Sequence, residues 1–100
     1  MKLGILVNTD KHLGHILGLA AAATAKGHEV IIFAMDQGVR LLENGSFTEL
    51  AGRPGVSVSI CDHSAKTHGI ATEGISDAVA ISGQFENAMM ANKADKLIVL

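Results

Sequence analysis

The side chain best suited to chemistry is the thiol of Cys61, the only cysteine in the 100-residue sequence. It follows a segment, 56–60, in which apolar residues alternate with serines, a pattern typical of a β-strand. At the end of a strand in a parallel sheet, Cys61 lies at the carboxyl edge, where ligands collect. A following helix N-terminus, or His63, lowers the pKa of such a thiol, whereas Asp62 raises it. We therefore predict an accessible, reactive thiolate at Cys61.

A lone cysteine restricts the reactions that this thiol supports. A thiolate attacks a sulfane sulfur and holds it as a persulfide, and a single thiol suits relay of that sulfur to a partner protein. A redox or peroxide-handling thiol without a resolving partner is inefficient. The alternative is that Cys61 is a buried and inert core residue, since free cysteine is among the most buried residue types.

Two histidines near the start of the first predicted helix, His12 and His15, are three residues apart and share one helix face. In a parallel sheet this helix begins at the same edge as Cys61 and His63, and such a set of ligands suits zinc or copper. The spacing matches no zinc-finger pattern, so we favour solvent-exposed histidines and predict neither a metal nor another cofactor. His12 and His63 are assigned instead to substrate contacts or to tuning of the thiol. No role is assigned to the two remaining histidines, His28 and His68.

Asn8 and Thr9 follow the first predicted strand and should lie beside the same edge of the sheet. Their side chains are suited to hydrogen-bonding a substrate or partner, so both are included among the candidate site residues. The alternative is that they only end the strand by forming a turn.

The elements that position these residues alternate between strands and helices. Apolar runs and period-two patterns predict strands at 3–7, 30–34, 56–60, 77–81 and 96–100. Helical periodicity, capping residues and glycine or proline stops predict helices at 12–26, 38–43, 47–52, 65–68 and 82–92. This order indicates an α/β fold, a three-layer α/β/α sandwich around a mainly parallel sheet of four to five strands, as a variant of the flavodoxin-like arrangement.

Two of these helices carry specific packing predictions. The last helix should be capped by Ser82 and should turn Phe85, Ala88 and Met89 inward. The first helix should bury one stripe of side chains, formed by Leu13, Ile16, Leu17, Ala20, Ala21 and Thr24.

The composition indicates one aliphatic and nearly neutral domain. The sequence is 48% hydrophobic with only three aromatic residues, which predicts a single domain over 1–100 with an aliphatic core. The net charge is −2 and the charged residues are scattered, so no basic surface is expected for nucleic acid. No apolar run has the length of a membrane span, and the N-terminal apolar run is too short for an export signal. We therefore expect a cytoplasmic protein with neither nucleic acid nor membrane as a partner.

Motifs of several common α/β proteins are absent. No Gly-x-Gly-x-x-Gly segment follows the first strand and no glycine-rich loop carries a Walker lysine, which disfavours a nucleotide site. The turn at 8–12 is a poor phosphate loop for a flavin, and the chain has no Trp or Tyr to stack on one. Cys61 stands where a receiver domain carries its phosphoacceptor aspartate, and no serine lies in a nucleophile elbow.

Several segments occur in a distinctive order along nearly the whole chain. They are a lysine-led first strand, an alanine-rich helix leading into Ala-Lys-Gly-His-Glu-Val, a Gly-Val turn, a Val-x-Val-x-x-Cys pattern and a late Ala-Asp-Lys, at 2–7, 12–30, 38–39, 56–61 and 94–96. This order resembles the DsrE/DsrF-like sulfur-transfer family. The resemblance implies a DsrE-like three-layer fold, a cytoplasmic homo-oligomer (a trimer or hexamer), and a cysteine that carries sulfur as a persulfide between proteins. Only Cys61 matches a functional position of that family.

Two functions follow from these observations. The first is a small sulfur-relay protein in which Cys61 carries the sulfur, with protein donors and acceptors of sulfur as partners and a sulfurtransferase-like role if it is an enzyme. The second is a non-catalytic binding or assembly module, which holds a small molecule or metal in the strand-end crevice and has a structural cysteine. The exposure of the sulfur, and whether polar groups converge on it, should discriminate between them.

Overall fold

A five-stranded parallel sheet forms the centre of the computed structural model, which describes residues 1–100. The strands lie in the order β4-β3-β2-β1-β5, and all four pairings are parallel. Their bounds are β1 Lys2–Val7, β2 Glu29–Ala34, β3 Val56–Cys61, β4 Val79–Ser82 and β5 Lys96–Val99. The predicted α/β fold around a parallel sheet is confirmed, with five strands.

Helices connect the strands and cover both faces of the sheet. The α-helices are α1 Leu13–Ala25, α2 Gly45–Thr48, α3 Asp62–Thr67 and α4 Gln84–Lys93, and 3₁₀ helices span Asp36–Glu43 and Glu49–Gly52. The segment predicted as a helix at 47–52 is thus divided between α2 and a 3₁₀ helix. The predicted start of the helix at 65–68 was wrong, because α3 begins directly after Cys61. None of these helices combines the length and apolar character needed to cross a membrane.

The main core lies between the central strands and α1. The register pairs Ile5 with Ile32, and Ile32 with Val58, so branched side chains meet across three strands. All three are almost fully buried, and they belong to one apolar cluster with Ile16 and Ala20 of α1. This packing holds fixed the strands whose carboxyl ends carry the candidate site residues.

The opposite face of the sheet carries a smaller apolar cluster beneath α4. Phe33, Cys61 and Met90 are its buried members. Alternation along β3 places Val58 and Ile60 in the main core and turns Cys61 to the α4 side. Cys61 therefore lies in the layer with the smaller apolar cluster.

The rotation of α4 differs from the prediction. Phe85 and Ala88 are exposed and Met89 is half-buried, whereas the neighbouring Met90 is buried. Met90 packs closely over Gly4 of β1, where a Cβ atom would lie 3.2 Å from the Met90 Cγ. Because Met90 takes the inward position, the helix turns Phe85 towards solvent.

Two smaller predictions are also corrected. Ser82 is the last residue of β4, and the cap position of α4 is occupied by Gly83, so the serine does not cap the helix. In α1 the predicted stripe is buried or half-buried except for Ala21, which is exposed because it lies at the border of the stripe.

Candidate functional site

Cys61 is both the last residue of β3 and the residue that immediately precedes α3. β3 lies between β2 and β4, so the cysteine is at the carboxyl edge of the sheet. The first N–H groups of a helix have no partner within it and are directed back towards the preceding residue. The predicted position of Cys61, at a strand end followed by a helix, is confirmed.

Contrary to the prediction, the Cys61 side chain is buried. Only 3% of the residue is accessible to solvent. The prediction of an accessible thiol was wrong for the isolated chain, because Cys61 packs with Phe33 and with Met90 of α4 in the smaller apolar cluster, and the Gln84 side chain of α4 also acts on the thiol. A reactant reaches the sulfur only when these contacts open.

Polar groups nevertheless converge on the buried sulfur. Burial alone raises the pKa of the Cys61 thiol, because it disfavours the charged thiolate. Four hydrogen bonds oppose this effect, from the side chain and the backbone N–H of Ser64, the side chain of Gln84 and the backbone N–H of His63. Their sum prevails, and the pKa of Cys61 lies below its ordinary value. The site therefore stabilises a thiolate despite its burial.

Ser64 is a buried polar neighbour of this sulfur, one turn into α3. Its Oγ accepts a hydrogen bond from the backbone N–H of Asp36, with an N···O distance of 2.8 Å. A hydroxyl has one proton and two lone pairs, so accepting from Asp36 leaves the proton free to be donated to Cys61.

Gln84 reaches the site from the first residue of α4. Its Nε2 donates to the Sδ of Met35 at 3.6 Å, and its side chain is one of the polar groups that lower the pKa of Cys61. Its Oε1 accepts from Nδ2 of Asn87 at 3.1 Å, which fixes the orientation of the amide. Gln84 therefore links α4 to the ends of both β2 and β3.

The residues next to Cys61 act differently from the sequence-based expectation. The His63 side chain is exposed, and its backbone N–H is the group that hydrogen-bonds to the sulfur. The Asp62 carboxylate lies 3.1 Å from the Lys66 ammonium in an ion pair on the surface of α3. Such exposed pairs contribute little to stability, so this one mainly neutralises a charge beside the site.

The candidates at the end of β1 are not drawn to the sulfur. Asn8 and Thr9 are half-buried, and Oγ1 of Thr9 accepts from the backbone N–H of Lys11 at 3.4 Å, consistent with the turn interpretation. The rings of His12 and His15 pack edge to face, with centroids 5.8 Å apart, and both residues are exposed. No group of three or more His, Cys, Asp or Glu side chains lies together in a way that could hold a metal.

Sequence reasoning missed two residues whose side chains help to lower the pKa of Cys61 through hydrogen bonding, Ser64 and Gln84. A helix predicted to begin at Asp62 would have placed Ser64 in its first turn, where a serine faces the residue that precedes the helix. Ser64 would then have been a predicted neighbour of Cys61. Gln84 had no local signal, because it comes from 23 residues further along the chain, beyond β4. Long-range partners of this kind depend on the packing of whole helices.

The one cavity of the chain lies away from this site. Its volume is about 270 Å³, and it opens at the amino ends of β2 and β3. It is lined by Glu29, Val30, Ile31, Gly55, Val56 and Ser57. Cys61 lies at the other end of β3, so this cavity is not the strand-end crevice predicted beside the thiol.

The sequence matches the DsrE/DsrF-like family over residues 1–100, which is the whole chain. The chain belongs to the DsrE/DsrF-like family. The resemblance seen in the order of its segments is therefore confirmed.

Two solved structures share the fold of this DsrE/DsrF-like chain. The ychN protein from E. coli superposes with a TM-score of 0.79 at 22% identity, covering 100% of both chains. The MTH1491 protein from Methanobacterium thermoautotrophicum, described as of unknown function, superposes with a TM-score of 0.71 at 17% identity, covering 99% of this chain and 98% of its own. No curated protein matches the sequence. Identities this low establish the fold alone.

Proposed function

We propose that this DsrE/DsrF-like protein carries sulfur as a persulfide on Cys61, in a relay between protein donors and acceptors. The observation that carries the proposal is the position of the only thiol of the chain, at the end of β3 and directly before α3, among polar groups that lower its pKa. The proposal treats residues 1–100 as one DsrE-like domain that works in a reducing, cytoplasmic compartment, where a lone thiol stays reduced.

The proposed reaction is an exchange at sulfur that needs no external oxidant. The Cys61 thiolate attacks the outer sulfur of a donor persulfide, so a new S–S bond forms at Cys61 and the S–S bond of the donor breaks. The donor leaves as a thiolate, which takes up the proton that Cys61 released. Delivery is the same exchange, with the thiolate of an acceptor protein as the attacking group.

The donors around Cys61 suit this reaction because attack requires the thiolate form. Ser64 and the backbone N–H of His63 come with the first turn of α3, which is fixed to the end of β3. Gln84 is an exposed residue whose side chain also covers the sulfur. A small persulfide donor approaches from the α4 side when Gln84 and Met90 are displaced.

The first prediction concerns persulfide formation on the folded protein. Incubation with cysteine persulfide is expected to add about 32 Da, the mass of one sulfur atom, to the intact protein. Cys61→Ser should abolish the adduct, and dithiothreitol should remove it. The measurement is intact-protein mass spectrometry of both proteins under non-denaturing and denaturing incubation.

The two incubation conditions separate reactivity from access. Urea-unfolded protein serves as the positive control, because its thiol is fully accessible. If the unfolded chain forms the adduct and the folded chain does not, the sulfur-carrier proposal is wrong. Cys61 would then be a structural residue.

The burial of Cys61 favours a second candidate function, a non-catalytic binding or assembly module. A thiol that is 3% exposed packs well as a small apolar residue, and no cavity lies beside it. In this reading the donors around the sulfur serve only to satisfy a buried polar atom. Failure of the folded protein to take up sulfur would favour this alternative.

We also propose that the protein forms a homo-oligomer, a trimer or hexamer, through the α4 side of the sheet. Phe85 of α4 is 73% exposed, and the β5 residues Leu97 and Val99 are 46% and 54% exposed. Leu97 and Val99 pair in register with Gly4 and Leu6 of β1, so they lie on the face that α4 only partly covers. Exposed apolar groups gathered on one face are typical of interfaces.

The second prediction tests this surface through the mass in solution. Light scattering after size-exclusion chromatography should give the mass of three or six subunits for the native chain, and of a monomer for Phe85→Ser. Ile81→Ser is the matched control, because Ile81 is also exposed but its register with Ile60 places it on the opposite face of the sheet. A monomeric native chain, or equal effects of the two substitutions, would contradict the proposed interface.

A further inference from the structure

Asp36 is the first residue of the 3₁₀ helix that follows β2. Its backbone, which lies beside the candidate site, is strained. Its φ angle is +50°, and it is the only non-glycine residue of the chain in the left-handed region. Aspartate tolerates this region better than most residues, but the conformation still costs free energy and persists only where neighbouring contacts hold it. The contacts of Asp36 should therefore explain why the strain is kept.

Two hydrogen bonds hold Asp36, one to Ser64 within α3 and one to His68, the residue that follows α3. Oδ1 of Asp36 lies 2.9 Å from Nε2 of His68, the residue at the C-terminal end of α3. The backbone N–H of Asp36 donates to Oγ of Ser64 at 2.8 Å. One residue is thus held at its side chain and at its backbone by the same short helix.

The segment around Asp36 is also anchored to the sheet. The backbone N–H of Met35 donates to the carbonyl of Val7 at 2.8 Å, and Gly38 packs against the same carbonyl. The position of Asp36 is therefore set from β1 on one side and from α3 on the other. These contacts fix where the Asp36 N–H lies relative to Ser64.

A continuous series of contacts leads from His68 to the sulfur. Nε2 of His68 lies 2.9 Å from the Asp36 carboxylate, and the Asp36 N–H donates to the Ser64 hydroxyl. The Ser64 side chain is in turn one of the polar groups that lower the pKa of Cys61. A hydroxyl rotates freely unless a partner fixes it. The Asp36 N–H occupies one lone pair of the Ser64 Oγ, so the hydroxyl proton remains available for the Cys61 sulfur.

We propose that Asp36 is a positioning residue for Cys61, and that its bond to His68 keeps the left-handed backbone that presents the Asp36 N–H to Ser64. This inference deepens the proposed function, since it names what prepares the thiolate, and only its biological meaning rests on that function. A negative charge near a thiol disfavours the thiolate, so a direct effect of the Asp36 carboxylate on Cys61 would have the opposite sign. Loss of the backbone contact and loss of the charge of Asp36 should therefore change the pKa of Cys61 in opposite directions.

Two substitutions of Asp36 separate these effects. Asp36→Ala removes the bond to His68 and keeps a residue for which the left-handed backbone is costly, so the N–H should move away from Ser64. Asp36→Gly removes the same side chain and charge but adopts positive φ without cost. His68→Ala should act like Asp36→Ala, and His68→Gln, which retains a side-chain N–H donor, should restore part of the native behaviour. The control is Glu43→Gln, an exposed charge at the far end of the same 3₁₀ helix.

The readout is the ultraviolet absorbance of the Cys61 thiolate as a function of pH. The chain has one cysteine and neither Tyr nor Trp, so no other side chain obscures this signal at alkaline pH. Asp36→Ala and His68→Ala should move the titration to higher pH, reducing the thiolate fraction at neutral pH about fivefold, the order expected when one hydrogen bond to an ion is weakened. Asp36→Gly and Glu43→Gln should stay close to the native curve. Circular dichroism identifies any variant that fails to fold, and the two positions provide independent measurements.

The possible results decide the proposal without reference to sulfur transfer. Equal shifts to higher pH in Asp36→Ala and Asp36→Gly would overturn it, since the backbone would then not be the acting group. Shifts to lower pH in both would mean that Asp36 acts only through its charge, and unchanged curves would mean that it does not act on Cys61. Because no sulfur donor is present, a failure here is distinguishable from a failure to form the persulfide.

Discussion

Gly38→Ala is expected to lower the free energy of unfolding by about 3 kcal/mol, the upper part of the range for overpacked positions. Gly38 lies in the 3₁₀ helix that follows β2, where the chain passes directly over the end of β1. A Cβ atom at this position would clash with the backbone carbonyl oxygen of Val7 and lie 2.8 Å from its carbonyl carbon. Because the obstacle is backbone in a central strand, it cannot move aside as a flexible side chain could.

The measurement is urea denaturation followed by circular dichroism, since the chain lacks tryptophan for fluorescence. Gly18→Ala is the matched control, because a Cβ on this exposed glycine of α1 would meet nothing within 4 Å. Within a helix, alanine replaces glycine with a gain of about 0.5–1 kcal/mol. Similar effects of the two substitutions would mean that the 3₁₀ helix is not pressed against β1.

Ser64→Ala is expected to raise the pKa of the Cys61 thiol and to slow its alkylation by iodoacetamide roughly tenfold at neutral pH, as expected for the loss of a hydrogen bond to an ion. The reason is that Ser64 supplies a hydroxyl donor that opposes the effect of burial on the thiol. The rates of the native and variant proteins should converge at alkaline pH, where both thiols are ionised. The control is Ser57→Ala, because Ser57 is an exposed serine of β3, the strand that ends at Cys61.

The lowered pKa of Cys61 should also make the free energy of unfolding depend on pH. A thiol whose pKa is lowered by folding adds stability that is fully present above its unfolded pKa and lost as pH falls through its folded pKa. The difference in unfolding free energy between the native chain and Cys61→Ser should therefore increase with pH across this window. A difference that is constant with pH would contradict a lowered pKa for Cys61.

The sheet was predictable because its strands are strongly patterned. The continuous apolar run of β1 and the Val-x-Val pattern of β3 identify strands that are buried on two faces or on one, and the alternation with helices then gives parallel pairing. The alternation predicted β3 at 56–60, and the observed strand ends one residue later, at Cys61. The fold therefore depends on signals that are local in the sequence.

The surroundings of Cys61 were less predictable because they depend on how α4 is rotated. Within the sequence, Met89 and Met90 are equally suited to the inward position, and the choice is made by the space over Gly4. That choice brings Met90 and Gln84 onto the end of β3 and buries the thiol. Periodicity locates a helix, but its contact with a distant strand requires the packed structure.

The strand order has a consequence for how the chain reaches its native state. β1 is an interior strand, yet one of its two neighbours is β5, and the hydrogen bond from the Lys2 N–H to the Asp95 carboxylate joins residues 93 positions apart. Pairings over such a separation must overcome a large loop-closure entropy before they contribute any stability, which slows folding. We therefore expect the unit from β1 to β3 to assemble early and β5 to dock late, leaving one side of β1 transiently open to association with other chains.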